Sequence, residues 1–169
     1  MKVIIGADRR GYAAMEHVLT SLQQAQHEVV SVVPPEEEEA GVPHASAVEY
    51  PEQAALVAGA VSRGEADRGI LLSGSGIGMA ITSNKFHGIR AVVGHDEWTA
   101  QISRSHHDTN VLCIPTDMIG LAFVRMIVER WMTTPFAGGR HERRIAMISR
   151  IEEGRSARKE DADEVDDDG

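Results

Sequence analysis

Three short stretches of this 169-residue chain gather groups able to move protons or hold anions. The first is "SGSGIG", residues 73 to 78, at the exit of the apolar run "GILL". Successive backbone N–H groups on such a loop can form an electropositive concavity for a phosphate, carboxylate or enediolate. A plain tight turn accounts for the same glycines. No Gly-Lys-Ser/Thr follows, and the loop is not behind the first strand, so it is neither a P-loop nor a dinucleotide fingerprint. The second stretch is "SHHDTN", residues 105 to 110. His106 and His107 are natural proton carriers near neutral pH. Adjacent histidines at a helix end diverge and no Cys or Glu completes a ligand spacing, so no metal is expected. The third is "GGRHERR", residues 138 to 144, where Arg140 and Arg144 share a helix face at a spacing suited to one phosphate. A solvated face pairing with Glu142 has the same pattern.

Apolar β-branched runs alternate with helical periodicity along the chain. "KVIIGAD" reads as a buried strand over Lys2 to Ala7, and "YAAMEHVLTSLQQAQ" as a helix with Met15, Val18, Leu19 and Leu22 on one face. "HEVVSVV", "DRGILLS", "IRAVVGH" and "NVLCIP" are four further strands. A helix starts after Tyr50 with Pro51 in its first turn; others are "IGMAITSNKF", "EWTAQISRSHH", "IGLAFVRMIVERWMT" and "RHERRIAMISRIEE". Residues 34 to 49, with two prolines and four consecutive acids, read as a long exposed loop. Strands that are apolar throughout and alternate with helices predict an α/β, Rossmann-like three-layer sandwich around a five-stranded parallel sheet. Ligands collect beyond the carboxyl ends of such strands, where Asp8, Ser73, His95, Asp96 and Thr116 are expected.

Charge and composition narrow the function classes. Of the net charge of −9, −6 falls on residues 152 to 169, leaving a nearly neutral body over 1 to 151 and an acidic tail read as disordered. No basic stripe suggests nucleic acid. No apolar run approaches the roughly 20 residues of a membrane span, and Met1 leads directly into a strand pattern. The single cysteine, Cys113, fits a reducing cytoplasm. With aromatics at only 4%, the core must be aliphatic.

The ordered set "GAD", "EYP", "GILLSGSGIGMAITSNKFHGIRAVV", "SRSHHDTNVL" and "GGRHERR" resembles the ribose-5-phosphate isomerase B and galactose-6-phosphate isomerase family over residues 2 to 151. The resemblance implies aldose–ketose isomerisation of a phosphorylated sugar through an enediolate, without cofactor, in homodimers or homotetramers that share active sites. It implies that Asp8 and Tyr50 contact the sugar, that His106 assists ring opening, and that Gly74, Ser75, Gly76 and Gly78 surround the enediolate. Arg140 and Arg144, with His107 where the family often has Asn, would hold the phosphate from the partner subunit. Asn110 and Lys85 also match the family's pattern, the former as a substrate contact.

Three positions depart from that pattern. Ser73 stands where one branch carries a cysteine base, Met79 where another carries a glutamate base, and Arg9 where a histidine commonly follows the aspartate. A thiol near pKa 8.5 is readily tuned into a base, whereas an alcohol needs another base to deprotonate it. The chain is therefore read as an isomerase, most simply of ribose 5-phosphate and ribulose 5-phosphate, with Asp8, His106 or an activated Ser73 as base. A homologue on another phosphosugar, with Arg9 as an added contact, is the neighbouring reading. The alternative is a weak or inactive homologue that binds a phosphosugar or serves as a partner subunit.

Overall fold

The computed structural model describes residues 1–32 and 49–154. The expected long loop at 34 to 49 and the acidic tail beyond Gly154 lie almost entirely outside the described residues. Five strands run in parallel: β1 (Lys2–Ala7), β2 (Glu28–Ser31), β3 (Arg68–Ser73), β4 (Ala91–Val93) and β5 (Val111–Pro115), in the spatial order β2-β1-β3-β5-β4. Six helices accompany them: α1 (Tyr12–Gln24), α2 (Tyr50–Ser62), α3 (Ile77–Ser83), α4 (Glu97–His107), α5 (Leu121–Thr133) and α6 (Arg140–Glu152). The doubly wound sandwich expected from the alternation of elements is the fold the chain adopts.

Each face of the sheet carries its own core. On one, Val18 and Leu22 of α1, Ala100 of α4, and Val124, Ile127 and Trp131 of α5 cover Ile5, Ile70, Leu112 and Ile114. On the other, Val57 and Ala58 of α2 and Met79 of α3 cover Ile4, Leu71 and Cys113. The residues of β3 and β5 alternate between these two cores, which is why both strands are apolar along their whole length. No described helix is long and apolar enough to cross a membrane.

β4 is shorter than the seven-residue run the sequence suggests, for an identifiable reason. The Ile89 amide donates back to the Phe86 carbonyl, and the Arg90 amide donates to the Asn110 side chain at 2.8 Å. Both donors are spent on turn closure before the ladder begins. The order of the central strands has a larger consequence. β5 sits between β3 and β4, so Ser73 is in register with Pro115 and Ala7 with Leu72. The chain leaves β1 toward one edge and β3 toward the other, and the crevice between their carboxyl ends is where such folds take ligands. Asp8 and Ser73 flank it.

Candidate active site

The loop after β3 is held by its own hydroxyls. Ser73 is buried and its Oγ accepts the Gly76 N–H at 3.0 Å, while the exposed Ser75 Oγ accepts the Ile77 N–H at 3.4 Å. Two of the amides that glycine spacing alone offers to an anion are thus already committed. The amides of Ser75 and Gly78 keep no acceptor among the described residues, and the Ser73 hydroxyl retains its proton for donation. Gly76 makes the turn into α3 at φ +71°, the left-handed region that glycine enters without strain. At Gly78 the reason for glycine is space: a Cβ would lie 2.8 Å from Tyr50 Cζ, because the Tyr50 ring packs on that α-carbon. Met79, beneath the loop, is fully buried against Leu71 and Cys113 and is part of the core.

Asp8 follows directly on β1. Its backbone N–H donates to the Leu72 carbonyl at 3.1 Å, which ties the two flanks of the crevice together. Its Oδ1 accepts the amides of Arg10 at 2.8 Å and Gly11 at 3.0 Å, so one carboxylate oxygen orders the turn and the other remains for a ligand. Arg9 is exposed beside it. The following residue, Arg10, pairs with Asp117, and the carboxylate raises the guanidinium's pKa through that hydrogen bond and its charge. Neither Arg10 nor Asp117 stands out in the sequence. Cys113 offers no replacement base, since complete burial in β5 pushes its thiol far up.

The other two motifs converge at the opposite, amino end of the strands. α4 runs back from the carboxyl end of β4 and delivers His106 and His107 next to Asn110, immediately before β5. Five residues of β5, at about 3.3 Å each, put this end about 17 Å from the register position of Ser73. α6 begins at the same place: the Ala137 amide donates to the Ser105 carbonyl at 2.9 Å, and the His141 ring stacks on His106 at 4.0 Å between centroids, 12° from parallel. The structure therefore groups His106, His107, Arg140 and Arg144, and keeps all four away from Asp8 and the glycine loop of the same chain. His106 belongs with the arginines, a placement the sequence leaves open.

A network behind this end fixes its shape. Asp108 caps α4 at φ +46°, and its carboxylate binds Arg104 at 2.8 Å and Arg90 at 2.9 Å. Thr109 accepts the Trp131 indole N–H at 2.9 Å. Asn110 works within this frame: its Oδ1 accepts from the Arg90 amide and its Nδ2 donates to the Gly88 carbonyl at 2.8 Å. One bond at each end of the amide closes the 88–90 turn and fixes the side chain in place. Lys85 is exposed. His141 is the residue that sequence reasoning missed. It is buried, receives the Arg140 Nε–H at 3.4 Å, and has its pKa pushed down by desolvation, then by His106, Arg140, Arg144 and His107.

Comparison with known proteins identifies what shares this arrangement. The sequence profile of the family described as Ribose/Galactose Isomerase matches residues 3–148. The chain belongs to that family. Ribose-5-phosphate isomerase B of Escherichia coli is 38% identical over 155 residues, which cover 92% of this chain and 99% of the relative. D-erythrulose-4-phosphate isomerase 2 of Mycolicibacterium smegmatis is 37% identical over 137 residues, covering 80% of this chain and 86% of the relative. The solved structure of Clostridium thermocellum ribose-5-phosphate isomerase B superposes with a TM-score of 0.81 at 36% identity, over 91% of this chain and 99% of that one. The chain is accordingly an enzyme of the aldose–ketose isomerase class, and the resemblance read from its motifs holds.

Proposed function

We propose that the chain interconverts ribose 5-phosphate and ribulose 5-phosphate, in a site that two copies of the chain complete. The observation that carries the second part is the separation of the motifs. The crevice at Asp8 has donors for an enediolate but no cluster of cations for a phosphate. The end at Arg140 has the cations but no cradle. Ile148 and Ile151 of α6, and Leu56, Ile77 and Ile81 of α2 and α3, are exposed apolar side chains that fit association with a second copy.

In this reading Arg140, Arg144 and His107 of one copy hold the phosphate, and His106, braced by His141, passes a proton to the ring oxygen as the sugar opens. The acyclic sugar lies on the loop of the other copy. The uncommitted oxygen of Asp8 takes the C2 proton, because Asp117 is neutralised by Arg10 and Ser73 has no base beside it. The electron pair left at C2 forms the enediolate, whose oxygens accept from the Ser75 and Gly78 amides and the Ser73 hydroxyl. Transfer of the O2 proton to O1 and return of the carbon-bound proton to C1 give the ketose. Nothing in this sequence needs a metal or an organic cofactor. The homologues include isomerases of both ribose 5-phosphate and erythrulose 4-phosphate. Ribose 5-phosphate is preferred because its namesakes cover nearly the whole chain.

The test is solvent exchange of the C2 hydrogen of ribose 5-phosphate, followed with Asp8→Asn, with Arg140→Ala, and with the two variants co-assembled. Each variant alone should be deficient and the mixture should regain activity, since mixed assemblies contain one intact composite site. If the mixture gains nothing, the shared site is wrong. Retained binding of phosphosugars without exchange on any pentose or hexose phosphate would make the chain a binding partner subunit instead.

A further inference from the structure

The glycine cradle is walled at both ends, and one wall is an ion pair. Arg10 Nε and Nη2 both reach Asp117 Oδ2, each at 2.5 Å. A Cβ placed on Gly74 would lie 2.5 Å from that oxygen, 2.8 Å from Arg10 Nε and 2.9 Å from Arg10 Cδ. The pair is therefore seated directly on the Gly74 α-carbon, as the Tyr50 ring is on Gly78.

The pair is also fixed from behind. The Asp117 amide donates to the Gly74 carbonyl at 3.1 Å, and the Arg10 amide donates to Asp8 Oδ1. The Thr116 hydroxyl, 3.0 Å from the Arg10 carbonyl and 3.1 Å from the Ser73 carbonyl, bridges the loops after β1, β3 and β5. Stability alone does not explain this construction. Both side chains are well exposed, at 60% and 39%, and exposed ion pairs contribute little to folding. What the construction does is hold a bulky, rigid group over one end of the loop that carries the reacting carbons.

We propose that the Arg10–Asp117 pair is a specificity wall that sets the carbon-chain length of the phosphosugar, favouring four- and five-carbon over six-carbon substrates. The proposal rests on the phosphosugar reading above. A substrate anchored by its phosphate on a second copy, with C1 and C2 on the loop amides, meets Tyr50 at one side and this pair at the other. An extra carbon has to displace one of them. Charge is not the selector, because Asp117 cancels Arg10. Length is.

The experiment measures calorimetric affinities of the full chain for erythritol 4-phosphate, ribitol 5-phosphate and glucitol 6-phosphate, which bind without reacting. The unaltered chain should prefer ribitol 5-phosphate to glucitol 6-phosphate. In Arg10→Ala the six-carbon ligand should gain on the five-carbon one by roughly 10- to 200-fold, the range for one methylene in a pocket. Asp117→Ala should move the ratio the same way by freeing Arg10. The charge-reversed double variant Arg10→Asp/Asp117→Arg re-forms the pair and should restore the original ratio, which a loss of general loop order would not predict. Ratios that stay fixed across these variants overturn the wall and leave the isomerase reading standing. Failure of the unaltered chain to bind any of the three ligands overturns that reading and the wall with it.

Discussion

At the carboxyl end of the sheet a loop of backbone amides is locked in place beside Asp8; at the amino end the polar groups are side chains carried on helix termini. The loop of residues 73–78 is buried at Ser73, Gly74 and Gly76 and tied by hydroxyl–amide bonds within itself. Donors held in this way are already oriented when charge develops, which is how an oxyanion is best stabilised. Arg140, Arg144 and His107 are instead exposed where α4 ends and α6 begins. Long cationic side chains adapt to a phosphate that arrives, and the rigid part lies behind them, in Asp108, Arg90 and Arg104. Under the proposed function this difference assigns the two ends different work: the first would hold the transition state, the second would capture the substrate.

Substitutions at the two ends should then separate kinetically. Asp8→Asn is expected to have the largest effect, lowering kcat by about 10²–10⁴, the usual contribution of a positioned base. Asparagine retains the oxygen that accepts the Arg10 and Gly11 amides, so the turn survives and KM should move little. A kcat within a few-fold of the unaltered chain would remove Asp8 as the base and return that role to Ser73 or His106. Arg140→Ala should act in the opposite column. Losing one charge-assisted contact, worth about 1.5–3 kcal/mol, should raise KM roughly 10- to 100-fold while kcat is largely kept. A loss confined to kcat would show that the amino-end cluster takes part in the transition state, and the comparison would fail.

Much of this division is visible in the sequence, and the parts that are not share a cause. β1 is legible to the residue, because a run of Val and Ile closed by a polar turn leaves little choice. The start of α2 follows to within one residue from Pro51, and the end of α4 at the histidines from the turn residues behind them. The position of β5 between β3 and β4 is not legible, since periodicity reports an element and not its neighbour. That one placement brings Asp117 onto Gly74 and to Arg10, 107 residues away in the chain. Local rules also overstate the cradle. Glycine spacing offers four or more free amides, whereas Ser73 and Ser75 consume two of them, and only three-dimensional geometry shows which.

His141 is the clearest case of a local signal pointing the wrong way, and it supports the smallest of the expected effects. Set among Arg140, Arg143 and Arg144 at the first turn of a helix, it reads as one more solvated polar residue. It is buried because α6 leans on α4 at this point and its ring stacks on His106. Burial and four positive or protonatable neighbours hold its pKa below the ordinary histidine value of 6.5. The unfolded chain therefore takes up a proton near pH 6.5 that the folded chain still refuses. Stability is unaffected by this group above that pH and is lost as the pH falls below it. His141→Gln keeps a polar side chain at the site and removes the titration. The unfolding midpoint of the unaltered chain should drop more steeply than that of the variant below about pH 6.5, with parallel curves above pH 7. Parallel curves throughout would mean that the fold leaves His141 unshifted, and a drop shallower than the variant's would mean that it is held protonated in the folded chain. In that last case it would be a cation of the phosphate cluster rather than the neutral brace for His106, and the amino end would owe its capture of substrate to this added charge as well as to the arginines.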